Sequence, residues 1–455
     1  MTSLLVNALA TTDALAEIFS DRSVLQAMLD FEVALARAAA VAGSIPHDAA
    51  ASIAAAARAE DFDAAAIARD ARASATPAIP LVRALTERVC ARHAAHAHYV
   101  HWGATSQDVT DSAMVVLLRR ARVAVAADHM RLARALPALS DQHARSIMLG
   151  RTLLQPATPI TFGLKVAGWY AALARAWARL GRAWDEARVV QLGGASGTRA
   201  AWGRHAGPIV DAVARELEVA PAAPWHTDRD RFGALLAGCG LYVAALGKMA
   251  RDAALLMQAE VGELTGPGGG SSSMPHKRNP AGPVVVLAAA TRVPGLVASF
   301  LSGMVQEHER AAGGGQAEWP TISAVVQTTG AAAAAMASTI EELSVDPARM
   351  RANLDATRGT VLAERAVMRL TPSLGRDRAQ ELVAEALARS RDQQVQFTDA
   401  LHALPEAAAV LTPDELHDLA RPDEYLGEAG RLRRKLLAEA EGRGDEGRAE
   451  GAARP

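Results

Sequence analysis

The stretch TDSAMVVLLRRARVAVAADHMRLARALPAL, residues 110–139, reads as one uninterrupted helix. Leu118, Val125, Leu132 and Leu139 recur at seven-residue spacing, which aligns them as a packing seam on one face. Comparable low-turn runs follow at 162–190, 229–264, 281–305 and 320–343, the last containing GAAAAAMAS. Helices of some 25 to 35 residues are about 40–50 Å long. Helices of that length with alanine-rich faces are not easily buried inside one subunit. The pattern therefore predicts a long-helix bundle shared between subunits of a homo-oligomer.

Composition points the same way. Alanine makes up roughly a fifth to a quarter of the 455 residues, and aromatic residues only 4%. Alanine is the strongest helix former and packs closely, so the expectation is an all-α chain with closely approaching helices and no β-sandwich or β-barrel. The length predicts two or three domains. Lys+Arg 48 against Asp+Glu 50 gives a net charge of −2, which excludes a dominant nucleic-acid-binding surface. The N-terminal MTSLLVNALATTDALAEIF lacks a basic region and carries Asp13 and Glu17, unlike a secretory signal. The apolar run from Pro280 to Val305 is interrupted by Pro283, Arg292 and Pro294, and is expected to be a buried helix pair or bent helix rather than a membrane span. Two cysteines, Cys90 and Cys239, form neither a disulfide framework nor a metal-binding spacing. The resulting expectation is a cytoplasmic protein with no nucleic-acid or membrane partner.

Chemistry concentrates in GPGGGSSSMPHKRNP, residues 266–280. Four glycines and a proline in five residues preclude a helix, while Met274-Pro275 and Asn279-Pro280 restrain the backbone around Lys277. A loop that swings and then presents serine hydroxyls and backbone N–H groups to an anion has this composition. The segment resembles the G-S-S-x-M-P-x-K-x-N-P motif of the fumarase/aspartase superfamily, whose members add or remove groups beta to a carboxylate. HWGATSQD (101–108) and GRTLLQPATP (150–159) are similar to two further motifs of that superfamily. The resemblance implies an all-α, three-domain fold with a central long-helix bundle shared in a homotetramer. Three subunits would then build each active site. The corresponding division is an N-terminal helical domain 1–109, a central bundle 110–360, and a C-terminal helical domain 361–455 with a frayed tail.

Carried over by position, the resemblance makes Ser271 the residue that exchanges a proton with carbon. Lys277 and Asn279 grip the carboxylate whose enediolate form develops charge, and Thr105, Ser106, Thr152 and Gln155 bind substrate. Helix N-capping is the alternative for Thr105 and Ser106, and a structural hydrogen bond for Gln155. His101 is read as a catalytic acid or carboxylate-binding residue, with orientation of Asp108 or the loop as its alternative. His276 is either a loop anchor or a substrate contact. Arg310 in QEHER is read as a bidentate carboxylate clamp, with surface ion pairing as its alternative, and Arg22 resembles an N-terminal substrate arginine. Gly193 and Gly194 are read as a tight turn beside the site. The histidines at 93, 96, 98 and 101 lack carboxylates at fitting spacing, and the resemblance implies neither metal nor cofactor.

The sequence departs from the family at two positions. Fumarase-like members and adenylosuccinate lyases pair a histidine after the motif threonine with a glutamate seven residues beyond the motif lysine. Leu153 and Val284 occupy those places here. Water and amines need a proton moved as they leave or attack. A carboxylate, with a pKa near 4, is already ionised and needs neither service. This points to the superfamily's cycloisomerase branch, in which a carboxylate adds across a C=C bond of the same small polycarboxylate. FSDRSVLQAMLDFEVALARA, QLGGASGT, PWHTDRDR and NLDATRGTVLAERAV extend that resemblance. An adenylosuccinate lyase-type C–N lyase and a non-catalytic structural homologue are the competing expectations.

Overall fold

The computed structural model describes residues 4–270 and 273–452. Six helices carry the argument: α1 (Asp21–Val41), α2 (Ser106–Gln142), α3 (Phe162–Ala187), α4 (Asp230–Leu256), α5 (Ala281–Ser302) and α6 (Gly314–Glu341). The seam residues Leu118, Val125, Leu132 and Leu139 of α2 are all buried. The alanine-rich composition does bring helices close. A Cβ on Gly247 of α4 would stand 2.8 Å from the Ala290 methyl of α5, so no side chain fits there. Helix α6 begins at Gly314 and carries Pro320 inside it. The run expected over 229–264 stops at Leu256, and its remainder folds as turns before a two-residue strand, Leu264–Thr265, paired with Ser344–Val345.

The chain forms two compact units, one of residues 1–130, 176–247 and 285–336, the other of 131–175, 248–284 and 337–455. In the first unit, Ser20 caps α1 by accepting the Ser23 N–H. That helix buries Met28, Phe31 and Leu35 in a core with Leu81, Leu85 and Val116. Arg229, just ahead of α4, is fully buried and binds two carboxylates. Its Nη1 and Nη2 donate to Asp111 of α2 at 2.9 Å each, and its Nε donates to Glu318 of α6 at 3.0 Å. Burial works against the Arg229 cation, but the two carboxylates outweigh it and raise its pKa. The guanidinium also lies 4.8 Å from the Trp225 ring centroid.

In the second unit, Leu370, Leu382, Phe397 and Leu401 form a core between the helices 363–374, 376–393 and 397–402. Helix Ala429–Ala452 continues through most of the segment expected to fray. This unit also holds the one sizeable departure from an all-helical reading, an antiparallel hairpin of β1 (Ile147–Thr152) and β2 (Gln155–Thr161). Pro156, Thr158 and Pro159 fit a strand that pairs on one side only.

Two helices, α4 and α5, are long and apolar enough to cross a membrane by length and composition. The most apolar window of α4 is 61% buried. That of α5 is only 28% buried, so 281–302 is one helix with Pro294 inside it whose apolar faces are largely uncovered in the single chain; of the two expectations, a buried helix pair or a bent helix, the buried pair is not what forms.

Candidate active site

The HWGATSQD motif enters α2 through a set of hydrogen bonds to one carboxylate. Asp108 is completely buried. Its Oδ1 accepts from the Gly193 N–H at 2.9 Å, faces His226 Nε2 at 2.9 Å and meets Gln191 Nε2 at 3.4 Å. Its Oδ2 accepts from the Gly194 N–H at 2.8 Å and the Thr105 N–H at 3.1 Å. The last bond is the back-reaching half of a capping box. Gly193 and Gly194 are therefore tied to Asp108 through their N–H groups and lead into the turn at Ala195 and Ser196. A Cβ on Gly193 would sit 2.6 Å from His226 Cε1, and Gly194 adopts φ +71, which favours glycine.

This arrangement leaves the motif hydroxyls unspent. Neither the Thr105 nor the Ser106 side chain caps a helix N–H among the described residues. Ser106 lines a cavity of about 390 Å³ with Thr76, Thr110, Asp111, Arg310 and Trp319, a volume within the roughly 300–1,000 Å³ typical of small-molecule sites. Arg310 is anchored by donating to the Ala195 carbonyl at 3.1 Å, next to the glycine turn. One sequence-predicted clamp and one predicted hydroxyl therefore share a cavity. Arg22 stands apart on the surface, 3.6 Å from Glu60. His101 does not orient Asp108 by a hydrogen bond; its Nδ1 lies 2.6 Å from Glu32. His96 is engaged by Ser52 at 2.7 Å, and among the described residues no cluster of three metal-ligating side chains occurs.

The second unit supplies the other two motifs. In the hairpin, Thr152 pairs with Gln155 across a two-residue turn of Leu153 and Leu154. Both leucines take left-handed backbone angles, φ 51 and φ 64. A left-handed conformation costs a non-glycine residue about 1–2 kcal/mol, and such strain persists only where the surroundings enforce it. Next to this turn, Arg151 donates to the fully buried Glu263 at 2.7 and 3.1 Å, while Asn353 binds the same carboxylate at 2.8 Å. The turn projects an apolar tip, with Leu153 97% exposed. The Gln155 side chain is exposed and makes no hydrogen bond among the described residues. The glycine-rich loop is closed at its base by paired Gly269 and Asn279 N–H···O bonds of 3.1 and 3.0 Å. Lys277 and His276 are exposed beyond it and Asn279 is half-buried. Ser271 lies outside the described residues.

Residues 8–295 match the family described as lyase, and residues 359–436 the adenylosuccinate lyase C-terminus. The chain belongs to the lyase family of the fumarase/aspartase superfamily. It is 45% identical to a 3-carboxy-cis,cis-muconate cycloisomerase of Pseudomonas aeruginosa, covering 93% of each chain. It is also 42% identical to a nitrosuccinate lyase of Streptomyces davaonensis, covering 90% of this chain and 89% of that one. The crystal structure of the 3-carboxy-cis,cis-muconate lactonizing enzyme from Pseudomonas putida superposes with a TM-score of 0.91 at 43% identity, covering 97% of this chain and all of that one.

Two members of this lyase's site architecture escaped sequence reading. Asp108 was legible only as the end of a motif, because its donors lie far along the chain. Glu32 carries a signal: it stands at helical spacing between Met28 and Leu35 on the buried stripe of α1, where an acid requires a partner. The Asp108 geometry yields a direct test. An amide offers one acceptor oxygen in place of two, and each orphaned buried donor costs about 1–3 kcal/mol. Asp108→Asn is expected to lower the thermal midpoint and weaken carboxylate binding in calorimetry together. An unchanged midpoint would show that the turn and motif are held by other contacts.

Proposed function

We propose that this lyase is a cycloisomerase that closes 3-carboxy-cis,cis-muconate to its γ-lactone. A carboxylate of the substrate attacks the conjugated double bond. Charge builds on the adjacent carboxylate as an enediolate held by Lys277, Asn279 and loop amides, and Ser271 delivers the proton to carbon. Thr105, Ser106, Thr152 and Gln155 take the remaining carboxylate oxygens, with Arg310 as a clamp. The three motifs come together in a homotetramer whose active sites each draw on three subunits, and the uncovered faces of α5 are buried in that assembly. The three-part division at 109 and 360 follows the same plan. The reaction places the protein in the cytoplasmic breakdown of aromatic compounds.

The observation that carries this reading is the pair Leu153 and Val284. The chain keeps the superfamily's loop motif yet presents leucine and valine where relatives place an acid–base pair. An apolar wall suits a group that forms or breaks its bond as an anion, because no proton moves at that atom. It also excludes water, which strengthens the contacts to the enediolate. The same feature favours one second reading. A lyase acting on a nitro-substituted succinate expels nitrite by atom balance, and that anion also leaves without a proton. An amine-releasing lyase of the adenylosuccinate type is disfavoured by the same two residues.

Ser271→Ala is expected to leave assembly intact and to lower lactonisation by about 10²–10⁴-fold, the range for a positioned acid or base. Loss within a few-fold, followed by ultraviolet absorbance, would assign the proton donor elsewhere. The double variant Leu153→His with Val284→Glu should not accelerate lactonisation, since it hydrates the wall and places a charge pair where none is used. Markedly faster turnover would mean that proton transfer at oxygen limits the parent.

A further inference from the structure

Glu32 lies on α1, outside all three motifs, and its side chain is 1% exposed. One oxygen, Oε1, meets His101 Nδ1 at 2.6 Å, and the other, Oε2, is buried without a hydrogen-bond partner among the described residues. A buried carboxylate with a single hydrogen bond is compensated best when that partner carries a full positive charge. His101 meets this requirement at a price in backbone geometry, since its φ of 58 is left-handed. Its ring keeps one-fifth of its exposure. With Nδ1 taken by Glu32, Nε2 is the remaining polar atom of the ring, and it makes no hydrogen bond among the described residues.

We infer that Glu32 is the positioning residue for His101: it fixes the ring through Nδ1–H and holds it as an imidazolium whose Nε2–H is a charged donor for a substrate carboxylate. A tricarboxylate requires several cations, and this donor adds to Lys277 and Arg310. The charged groups acting on His101 are Glu32 from α1 and Asp108 from α2. Burial pulls the imidazole pKa down, but the charge and hydrogen bond of Glu32, aided by Asp108, outweigh burial and raise it. The role in turnover rests on the cycloisomerase reading; the pairing itself does not.

Glu32→Gln keeps the volume and an acceptor for Nδ1–H while removing the charge. If the imidazolium is the working form, kcat/KM for 3-carboxy-cis,cis-muconate is flat at low pH and falls as pH rises through the His101 pKa. Glu32→Gln should move that alkaline limb to lower pH by about one unit, a roughly tenfold loss at a fixed pH above it, while the acid plateau stays within several-fold. A stability arm needs no substrate. A raised folded pKa gives stability that is complete below the ordinary histidine value of about 6.5 and is lost as pH rises through the folded value. The melting temperature of the parent relative to Glu32→Gln should therefore be highest near pH 6 and decline toward pH 9. An unmoved limb, or a difference that is flat or grows with pH, overturns the inference. Absence of turnover at every pH would defeat the cycloisomerase reading alone, leaving the melting series to decide the pairing. Should Glu32→Gln fail to fold, His101→Gln replaces it: loss of the alkaline limb supports the imidazolium, and an intact limb refutes it.

Discussion

A carboxylate removed from water must be met by donors, and Asp108 is met by five. Its two oxygens draw in the Thr105 backbone ahead of α2, the Gly193–Gly194 turn, Gln191 and His226. Segments far apart in the chain are thereby fixed to one point at the start of the longest helix. The consequences reach the cavity. Near Asp108, the hydroxyls of Thr105 and Ser106 cap no helix N–H among the described residues, and Arg310 donates to the Ala195 carbonyl just beyond Gly194. The Ser106 hydroxyl and the Arg310 guanidinium thus line one cavity close to this buried acid.

The same economy holds elsewhere in the molecule. Arg229 satisfies Asp111 and Glu318, and Glu263 receives Arg151 and Asn353. In each case the buried charge is shared by elements remote in sequence, so breaking one partner leaves another uncompensated. Such networks hold active-site segments more rigidly than apolar packing, which tolerates sliding.

How much of this was legible beforehand follows from range. The seven-residue seam of α2 and the runs of α3 to α6 are local periodicities, and the helices stand where those periodicities put them, with ends moved by several residues. The glycine-rich loop was legible because glycine and proline restrict backbone choices locally. The hairpin was not, since its two-residue turn is made of Leu153 and Leu154 and carries no glycine or asparagine to mark it. The same holds for Asp108 and Glu32, whose roles are defined by partners that no local pattern encodes. Leu153 and Val284 are the reverse case: their meaning came from sequence, while the geometry adds that the leucine tip is strained and held outward.

The central claim is that this lyase acts on a group that departs or attacks as an anion. Its most direct test is to offer one preparation of the purified chain 3-carboxy-cis,cis-muconate, nitrosuccinate and adenylosuccinate, following ultraviolet absorbance and product identity. The account predicts lactone formation from the first and no fumarate release from the third. Preferred turnover of nitrosuccinate would keep the anionic principle and replace the substrate. Efficient cleavage of adenylosuccinate, whose amine needs a proton to leave, would contradict the account at its root.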